Sequence, residues 1–122
     1  MYEFEYAAQH DENMLLSLIN ENGNISDEDG KSVLMIAAEN GNLKCLKVLI
    51  KAKADIEAKN NNVRTALIYA ARCGNVECLK LLIKEKANKE AKDNYGMTAL
   101  IYAARNGKVE CSEALIKAKA DI

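Results

Sequence analysis

The chain has 122 residues and a formal net charge of −1; 49% of its residues are hydrophobic and 29% charged, as in a soluble globular domain. Its unbroken apolar runs are far shorter than the roughly 20 residues that span a bilayer, which excludes a membrane protein. The acidic N-terminus lacks the basic start and apolar stretch of a signal peptide. We therefore expect a cytoplasmic protein, with the nucleus as the alternative compartment.

The charge is distributed unevenly along the chain. Residues 1–30 contain eight acidic and no basic residues, a net charge of −8, whereas residues 31–122 contain ten acidic and 17 basic residues, a net charge of +7. A nucleic-acid-binding protein concentrates Lys and Arg on one face or strip, but here the bases alternate with acids. We expect no nucleic-acid binding.

The sequence repeats with a constant period, which equals the separation between position 65 and position 98. Residues 64–89 and 97–122 share 17 identities in 26 positions, and residues 31–61 and 64–94 share 17 in 31, without gaps. The octapeptide TALIYAAR occurs twice, at residues 65–72 and 98–105. Because fixed-period similarity is typical of stacked repeat architectures, three near-copies of one structural unit are predicted.

Each unit begins with a short helix that the next unit can cover. A hydroxyl residue, Ser32, Thr65 or Thr98, precedes an apolar and alanine-rich run, which is the pattern of an N-cap and a buried helix. Paired alanines in that run allow a neighbouring helix to approach closely. A glycine follows at positions 41, 74 and 107, where the helix is expected to end.

A second, amphipathic helix of about 2.5 turns is predicted after each glycine. In the first copy Leu43, Leu46 and Leu49 lie on one side and the lysines on the other. A polar segment rich in Asn, Asp and Gly then forms a projecting loop. Helices this short are marginal alone, so their stability must come from stacking on the next unit.

The period and the order of hydroxyl residue, Leu, Ala-Ala, Gly, apolar helix and Ala-Asp resemble the ankyrin repeat family. The resemblance implies an all-α solenoid of stacked helix-turn-helix units with projecting loops, forming one domain over residues 1–122. Its divisions are a degenerate capping repeat (1–26) and three repeats (27–59, 60–92 and 93–122), the last possibly truncated.

Several positions depart from the family pattern. The segments equivalent to the family's Thr-Pro-Leu-His motif contain neither Pro nor His in any of the three copies. The glycine expected after the second helix is Lys53, Lys86 and Lys119, so we expect those helix ends to close differently. At the loop tip Val63 replaces glycine, and since a β-branched residue disfavours a positive φ, we expect this loop to adopt another turn.

The end of the third repeat admits two interpretations. Ser112 and Ala114 replace bulkier apolar residues of the earlier copies, as a capping repeat requires. The chain nevertheless stops at Asp121-Ile122, where another loop would begin. We favour a truncated array over a complete cap.

No catalytic residues are predicted. Tyr69 and Tyr102 lack a histidine partner within the repeats, so we expect both to pack between helices with their hydroxyl groups hydrogen-bonded locally. No phosphate-binding, metalloprotease or hydrolase motif occurs. We expect a protein that is not an enzyme, with no cofactor.

The periodic cysteines Cys45, Cys78 and Cys111 are predicted to be small core residues. Successive repeats lie about 10 Å apart, beyond disulfide reach, and no CxxC or Cys-His pair suggests a metal site. Cys73 falls outside the period, and we predict that it is an accessible thiol.

The resemblance implies that loop tips and first helices form a concave groove that binds a partner protein or peptide. The implied loop contacts are Asp27, Glu28, Asp29, Lys31, Asn61, Asn62, Arg64, Asn94, Tyr95 and Met97. The implied contacts on the first helices are Glu39, Asn40, Arg72, Cys73, Arg105 and Asn106.

These positions change character along the groove, from acidic in the first repeat to arginines, a tyrosine and a methionine in the second and third. Arg, Tyr and Met are enriched in interface cores. We predict a monomeric adaptor or scaffold whose partner is acidic opposite repeats two and three, carries an apolar anchor near Tyr95 and is basic opposite Asp27 to Asp29.

Two other functions remain open. One is a targeting or autoinhibitory module of a larger multidomain protein, such as an enzyme or channel. The other is a thiol-based redox or metal-binding protein.

Overall fold

The structure of the protein, a computed structural model, describes residues 30–120. Within this range the chain forms helices and no strand, in agreement with the predicted all-α class. The helices are α1 (Val33–Asn40), α2 (Leu43–Lys51), α3 (Ala66–Cys73), α4 (Val76–Lys84), α5 (Ala99–Arg105) and α6 (Val109–Lys117). The predicted capping repeat at residues 1–26 lies outside the described residues.

The first helix of each pair begins at the predicted hydroxyl residue. The side-chain oxygens of Ser32, Thr65 and Thr98 accept hydrogen bonds from backbone N–H groups three residues later, at 3.3, 3.4 and 3.3 Å. This satisfies one of the N–H groups that a helix start leaves without an intrahelical partner. The predicted N-caps are confirmed.

The glycine turns also lie where they were expected. Gly41 and Gly74 directly follow α1 and α3 with φ values of 70° and 75°, a conformation that a side chain disfavours. Gly107 has φ 68°, although α5 ends two residues before it.

The helices form two layers. The first helices, α1, α3 and α5, pack side by side, while α2, α4 and α6 form a second, more loosely contacting row. Leu46, Leu79 and Leu115 are fully buried between the layers. Each helix pair therefore buries its apolar face against the next pair, as the marginal stability of short helices requires.

The predicted change at the ends of the second helices is wrong. Lys53, Lys86 and Lys119 have φ values of 69°, 70° and 68°, the left-handed conformation that glycine would adopt. At the first of these ends, the N–H of Lys53 donates to Ile50 O and that of Ala54 donates to Leu49 O, both at 3.0 Å. This Schellman pairing recurs at the other two ends, and its hydrogen bonds offset the roughly 1–2 kcal/mol that a left-handed non-glycine residue costs.

The predicted alternative turn at Val63 is also wrong. Val63 has φ 61°, close to the 73° of Gly96 at the equivalent position of the next loop. The N–H of Val63 donates to Asn60 O at 2.9 Å, and the Asn60 side chain accepts from the N–H groups of Asn62 and Arg64 at 3.1 and 2.9 Å. The asparagine thus imposes the same turn and strains the valine.

The cysteines are all free. Cys45, Cys78 and Cys111 are buried in the core, as predicted, and burial raises the pKa of Cys78 to about 11. Cys73 is exposed at the end of α3.

Candidate functional site

The three arginines of the chain come together on one face of the stack. Arg64 lies in the loop before α3, and Arg72 and Arg105 lie in the last turns of α3 and α5. Together they line an open cavity of about 590 Å³ with Tyr95, Met97, Tyr102 and Asn106. We call this the arginine cavity.

A buried ion pair fixes one wall of the arginine cavity. The Asp93 side chain is fully buried and that of Arg64 is 14% exposed, with Arg64 Nε 3.2 Å from Asp93 Oδ2. The Tyr102 hydroxyl donates to the same carboxylate oxygen and accepts from Arg64 Nη2 at 3.2 Å. The Asp93 carboxylate also accepts from the N–H groups of Tyr95 and Met97, at 2.9 and 3.1 Å.

These contacts hold both members of the pair in their charged forms. Burial alone would raise the pKa of Asp93, but the hydrogen bonds from Tyr102, Met97, Tyr95 and Arg64 outweigh it and lower that pKa. Burial alone would lower the pKa of Arg64, but hydrogen bonds to Tyr102 and Asp93 outweigh it and raise that pKa. Burial and then the bond to Asp93 raise the pKa of Tyr102.

The preceding repeat contains an uncharged version of this arrangement. Asn60, which occupies the position of Asp93 in that repeat, donates its side-chain N–H to the Tyr69 hydroxyl at 2.7 Å. Both tyrosines are thus buried with their hydroxyls bonded locally, as predicted. Since an amide carries no charge, the exchange of Asn for Asp is what allows a carboxylate to hold Arg64.

Two of the three guanidinium groups of the cavity, those of Arg64 and Arg72, lie over aromatic rings. The Arg64 guanidinium lies 5.8 Å from the centre of the Tyr95 ring and 5.7 Å from that of Tyr102. Arg72 lies 5.4 Å from the Tyr102 ring. Cation–π contacts of this kind orient a guanidinium while its hydrogen-bond donors remain at the edge.

The charge on this face changes from repeat to repeat at positions eight residues apart. In the first described repeat Lys31 forms an ion pair with Glu39. The equivalent positions hold two arginines in the next repeat, Arg64 and Arg72. In the last repeat they hold Met97 and Arg105, whose Nη1 lies 3.6 Å from the methionine sulfur. Within residues 30–120, neither Arg72 nor Arg105 forms an ion pair.

The structure places the predicted contact residues in three groups. Those that line the arginine cavity are Arg64, Arg72, Arg105, Tyr95, Met97 and Asn106. Those described elsewhere on the loops and helix ends are Lys31, Glu39, Asn40, Asn61, Asn62, Cys73 and Asn94. The remaining predicted contacts, Asp27, Glu28 and Asp29, lie outside the described residues.

Asp93 was not among the predicted site residues, and Tyr102 was predicted only to pack between helices with its hydroxyl hydrogen-bonded locally. The signal was present in the period, because Asp93 occupies the position of Asn60 at the start of a turn, where Asn and Asp bond the following backbone. What the period does not reveal is that Arg64, in the preceding loop, reaches across to Asp93.

The accessible Cys73 is not an activated nucleophile. Burial raises its pKa, and the nearby Glu39 raises it further, while Arg72 and Lys31 act in the opposite direction. A reactive cysteine needs a lowered pKa, because the thiolate is the nucleophile. The side chain does not line the arginine cavity.

A second cavity lies on the far face of the last helix pair. It has a volume of about 610 Å³ and is lined mainly by apolar groups, including Leu100, Ile101 and Ile116. Ile101 is 45% exposed, whereas Ile68, at the equivalent position of the preceding repeat, is 1% exposed because α5 covers it. Despite Ser112 and Ala114, this face keeps exposed apolar side chains.

Two further findings concern only residues 30–120. No helix there combines the length and apolar character needed to cross a membrane. No group of three or more His, Cys, Asp or Glu side chains in this range is arranged to hold a metal ion.

Comparison with known proteins places the repeats in a family. The family model described as ankyrin repeats (3 copies) matches residues 4–60 and 52–122. Cortactin-binding protein 2 of Rhinolophus ferrumequinum is 42% identical over 59 residues, which is 46% of this chain and 4% of that protein. The protein of the same name from Dasypus novemcinctus is 47% identical over 55 residues, 43% of this chain and 3% of the relative. The chain thus spans a very small part of the relatives' length.

Proposed function

We propose that this chain, which belongs to the ankyrin repeat family of protein-interaction modules, is a non-catalytic adaptor or scaffold that binds a partner protein through its arginine cavity. The bound segment of the partner is acidic opposite the second and third repeats. It carries an apolar anchor against Tyr95. The predicted basic segment opposite Asp27 to Asp29 concerns residues outside the described range and stays a prediction.

One observation carries this proposal: the arginine cavity contains two guanidinium groups with no acidic partner among the described residues. Arg64 is neutralised by Asp93, whereas Arg72 lies over the ring of Tyr102 and Arg105 contacts the sulfur atom of Met97. Burying these charges against an apolar partner would be costly, whereas carboxylates would form charge-assisted, bidentate hydrogen bonds.

The remaining lining suits an interface core. Tyr95 is 70% exposed, an unusual exposure for a large aromatic side chain, and Met97 is half-buried beside it. Tyr, Met and Arg are enriched where interfaces exclude water, and a few such residues carry most of the binding free energy.

The test is affinity capture from the source cell followed by titration of the captured partner. Replacing Arg72 and Arg105 together by Glu converts two attractive contacts into repulsive ones. We expect affinity to fall at least about 100-fold, because each contact is worth at least about 1.4 kcal/mol, or tenfold.

The matched control reverses two exposed lysines of the second helix layer, Lys47→Glu with Lys80→Glu, which changes the net charge equally. We expect this variant to retain wild-type affinity. Equal losses in both double variants would mean that net charge decides binding. Unchanged affinity in the Arg72, Arg105 variant would show that the partner binds elsewhere.

A second candidate function is a targeting or autoinhibitory module of a larger enzyme or channel. The observation that favours it is the small share, 3 to 4%, that the matched region represents in its relatives. A full-length transcript encoding a further domain, together with altered activity of that domain when these repeats are deleted, would support it.

A further inference from the structure

We infer that the arginine cavity binds a phosphate monoester dianion, presented by the partner segment of the proposed function or by a free phosphorylated molecule. The inference rests on the proposed function for the location of the ligand. It adds the chemical class of that ligand and makes binding dependent on phosphorylation.

The charge of the cavity favours a dianion over a carboxylate. Three guanidinium groups line it, and the single carboxylate of Asp93 is fully buried behind Arg64 and engaged in four hydrogen bonds. Two positive charges remain. One carboxylate would leave one of them uncompensated, whereas a phosphate monoester carries about −1.5 to −2 charges at neutral pH.

The donor groups that remain also suit a phosphate. Within the described residues no hydrogen bond uses the Arg72 guanidinium, and Arg105 uses one N–H on the weakly accepting sulfur of Met97. Phosphate offers three strong acceptor oxygens, which match the forked donors of two guanidinium groups.

Two residues of the neighbouring repeat hold Arg72 in place. The side-chain N–H of Asn106 donates to the backbone oxygen of Arg72 at 3.2 Å, and the Tyr102 ring lies beneath its guanidinium. The site is therefore partly assembled before a ligand binds, which lowers the ordering cost of binding.

The distribution of basic residues along the chain also points to this cavity. The chain contains 17 basic residues, of which only three are arginines, and all three line this one cavity. Lysine would supply positive charge equally well on an ordinary solvated surface. Planar, bidentate recognition and stacking on tyrosine distinguish arginine from lysine.

The first experiment compares phenyl phosphate with benzoate, which carries a carboxylate on the same ring. Each is titrated into ¹⁵N-labelled protein at pH 7.5, and binding is followed by NMR at the arginine side-chain Nε–H groups and the amides of residues 95–97. We expect phenyl phosphate to bind at least about tenfold more tightly, with shifts centred on Arg72 and Arg105. Equal affinity for the two probes would overturn the inference.

The pH dependence gives an independent readout. The second pKa of a phosphate monoester is about 6, so lowering the pH from 7.5 to 5 leaves about a tenth of the probe as dianion and should weaken phenyl phosphate binding about tenfold. The coupled groups behind the ligand shift away from this range: hydrogen bonds lower the pKa of Asp93, and the pKa values of Arg64 and Tyr102 are raised. Affinity that is independent of pH would contradict recognition of the dianion.

Substitutions locate the site. Arg72→Gln and Arg105→Gln should each weaken phenyl phosphate binding at least about tenfold, with unchanged thermal unfolding, whereas Lys47→Gln should have no effect. If the arginine variants bound phenyl phosphate as tightly as Lys47→Gln does, neither arginine would belong to the binding site. A single-stranded oligonucleotide that competes as well as phenyl phosphate would indicate a phosphodiester ligand and overturn the inference.

Treating the captured partner with phosphatase distinguishes the two sources of the phosphate, the partner protein and a free phosphorylated molecule. Loss of binding identifies a phosphorylated protein; retained binding, together with a preference for phenyl phosphate over benzoate, identifies a free phosphorylated molecule. If the partner needs Arg72 and Arg105 but phosphatase has no effect and the two probes bind equally, the phosphate inference fails while the proposed function stands. If phenyl phosphate bound tightly but the Arg72 and Arg105 substitutions did not change affinity for the partner, the phosphate inference would stand and the proposed function would fail.

Discussion

The ion pair between Arg64 and Asp93, behind the arginine cavity, predicts that two substitutions of Asp93 lower the unfolding free energy by different amounts. Asp93→Ala removes a fully buried side chain that accepts four hydrogen bonds, two of them from the loop backbone. It leaves the Tyr102 hydroxyl and Arg64 Nε without their acceptor. Breaking a buried pair in this way costs about 3–5 kcal/mol of unfolding free energy.

Asp93→Asn should cost much less, because the preceding repeat already uses asparagine at this position. Asn60 accepts the same two backbone hydrogen bonds and donates to Tyr69. By analogy, the Asp93→Asn side chain keeps the turn, donates to the Tyr102 hydroxyl instead of accepting from it, and loses the charge-assisted bond to Arg64. We expect a loss of about 1–2 kcal/mol, or about 4–8 °C in melting temperature at about 4 °C per kcal/mol.

Urea denaturation at pH 7 measures both variants, and the pH dependence isolates the carboxylate. Because the pKa of Asp93 is lower in the folded chain than the roughly 3.9 of the unfolded chain, the ionised group stabilises the fold above that value. This contribution disappears as the pH falls through the folded pKa. The stability difference between wild type and Asp93→Asn should therefore be constant above about pH 5 and shrink below about pH 4.

Two results would refute this reasoning. If Asp93→Asn were as destabilised as Asp93→Ala, the turn would depend on the charge rather than on the acceptor geometry. If the difference between wild type and Asp93→Asn did not change with pH, the ionised carboxylate would not contribute to stability.

Two further predictions concern a strained residue and a thiol. Val63→Gly should raise the unfolding free energy by about 0.5–1 kcal/mol in urea denaturation, because glycine removes the cost of a Cβ atom at φ 61°. An unchanged or lower stability, or an equal gain in Val63→Ala, which keeps the Cβ, would refute the strain. Cys73 should react with a thiol reagent at least about tenfold faster than Cys45, Cys78 and Cys111 in native protein, followed by mass spectrometry, because only Cys73 is exposed. Labelling at equal rates would contradict this.

The helix starts and most of the core could be predicted because they follow from local chemistry that recurs in every repeat. The hydroxyl caps, the alanine pairs and the turn glycines each specify a backbone conformation within a few residues. The errors came from applying local preferences where hydrogen bonding decides. Val63 and Lys53 adopt a disfavoured φ because neighbouring backbone and asparagine contacts determine the turn.

The arginine cavity was only partly predictable for a different reason. The three arginines were placed on one face because the period and the family resemblance give each position a direction. The role of Asp93 depends on a contact between two loops, and no residue within its own repeat indicates that Arg64 reaches it. Differences between repeats identify candidates for a site, but only the stacked structure shows which of them meet.

The most direct test of the central claim is a footprint of the captured partner on this chain by hydrogen–deuterium exchange. We predict that binding protects the loop at residues 93–97 and the ends of α3 and α5, around Arg72 and Arg105, and leaves α2, α4 and α6 unchanged. Protection confined to the second helix layer, or to the apolar face around Ile101 and Ile116, would contradict the proposal that the arginine cavity binds the partner.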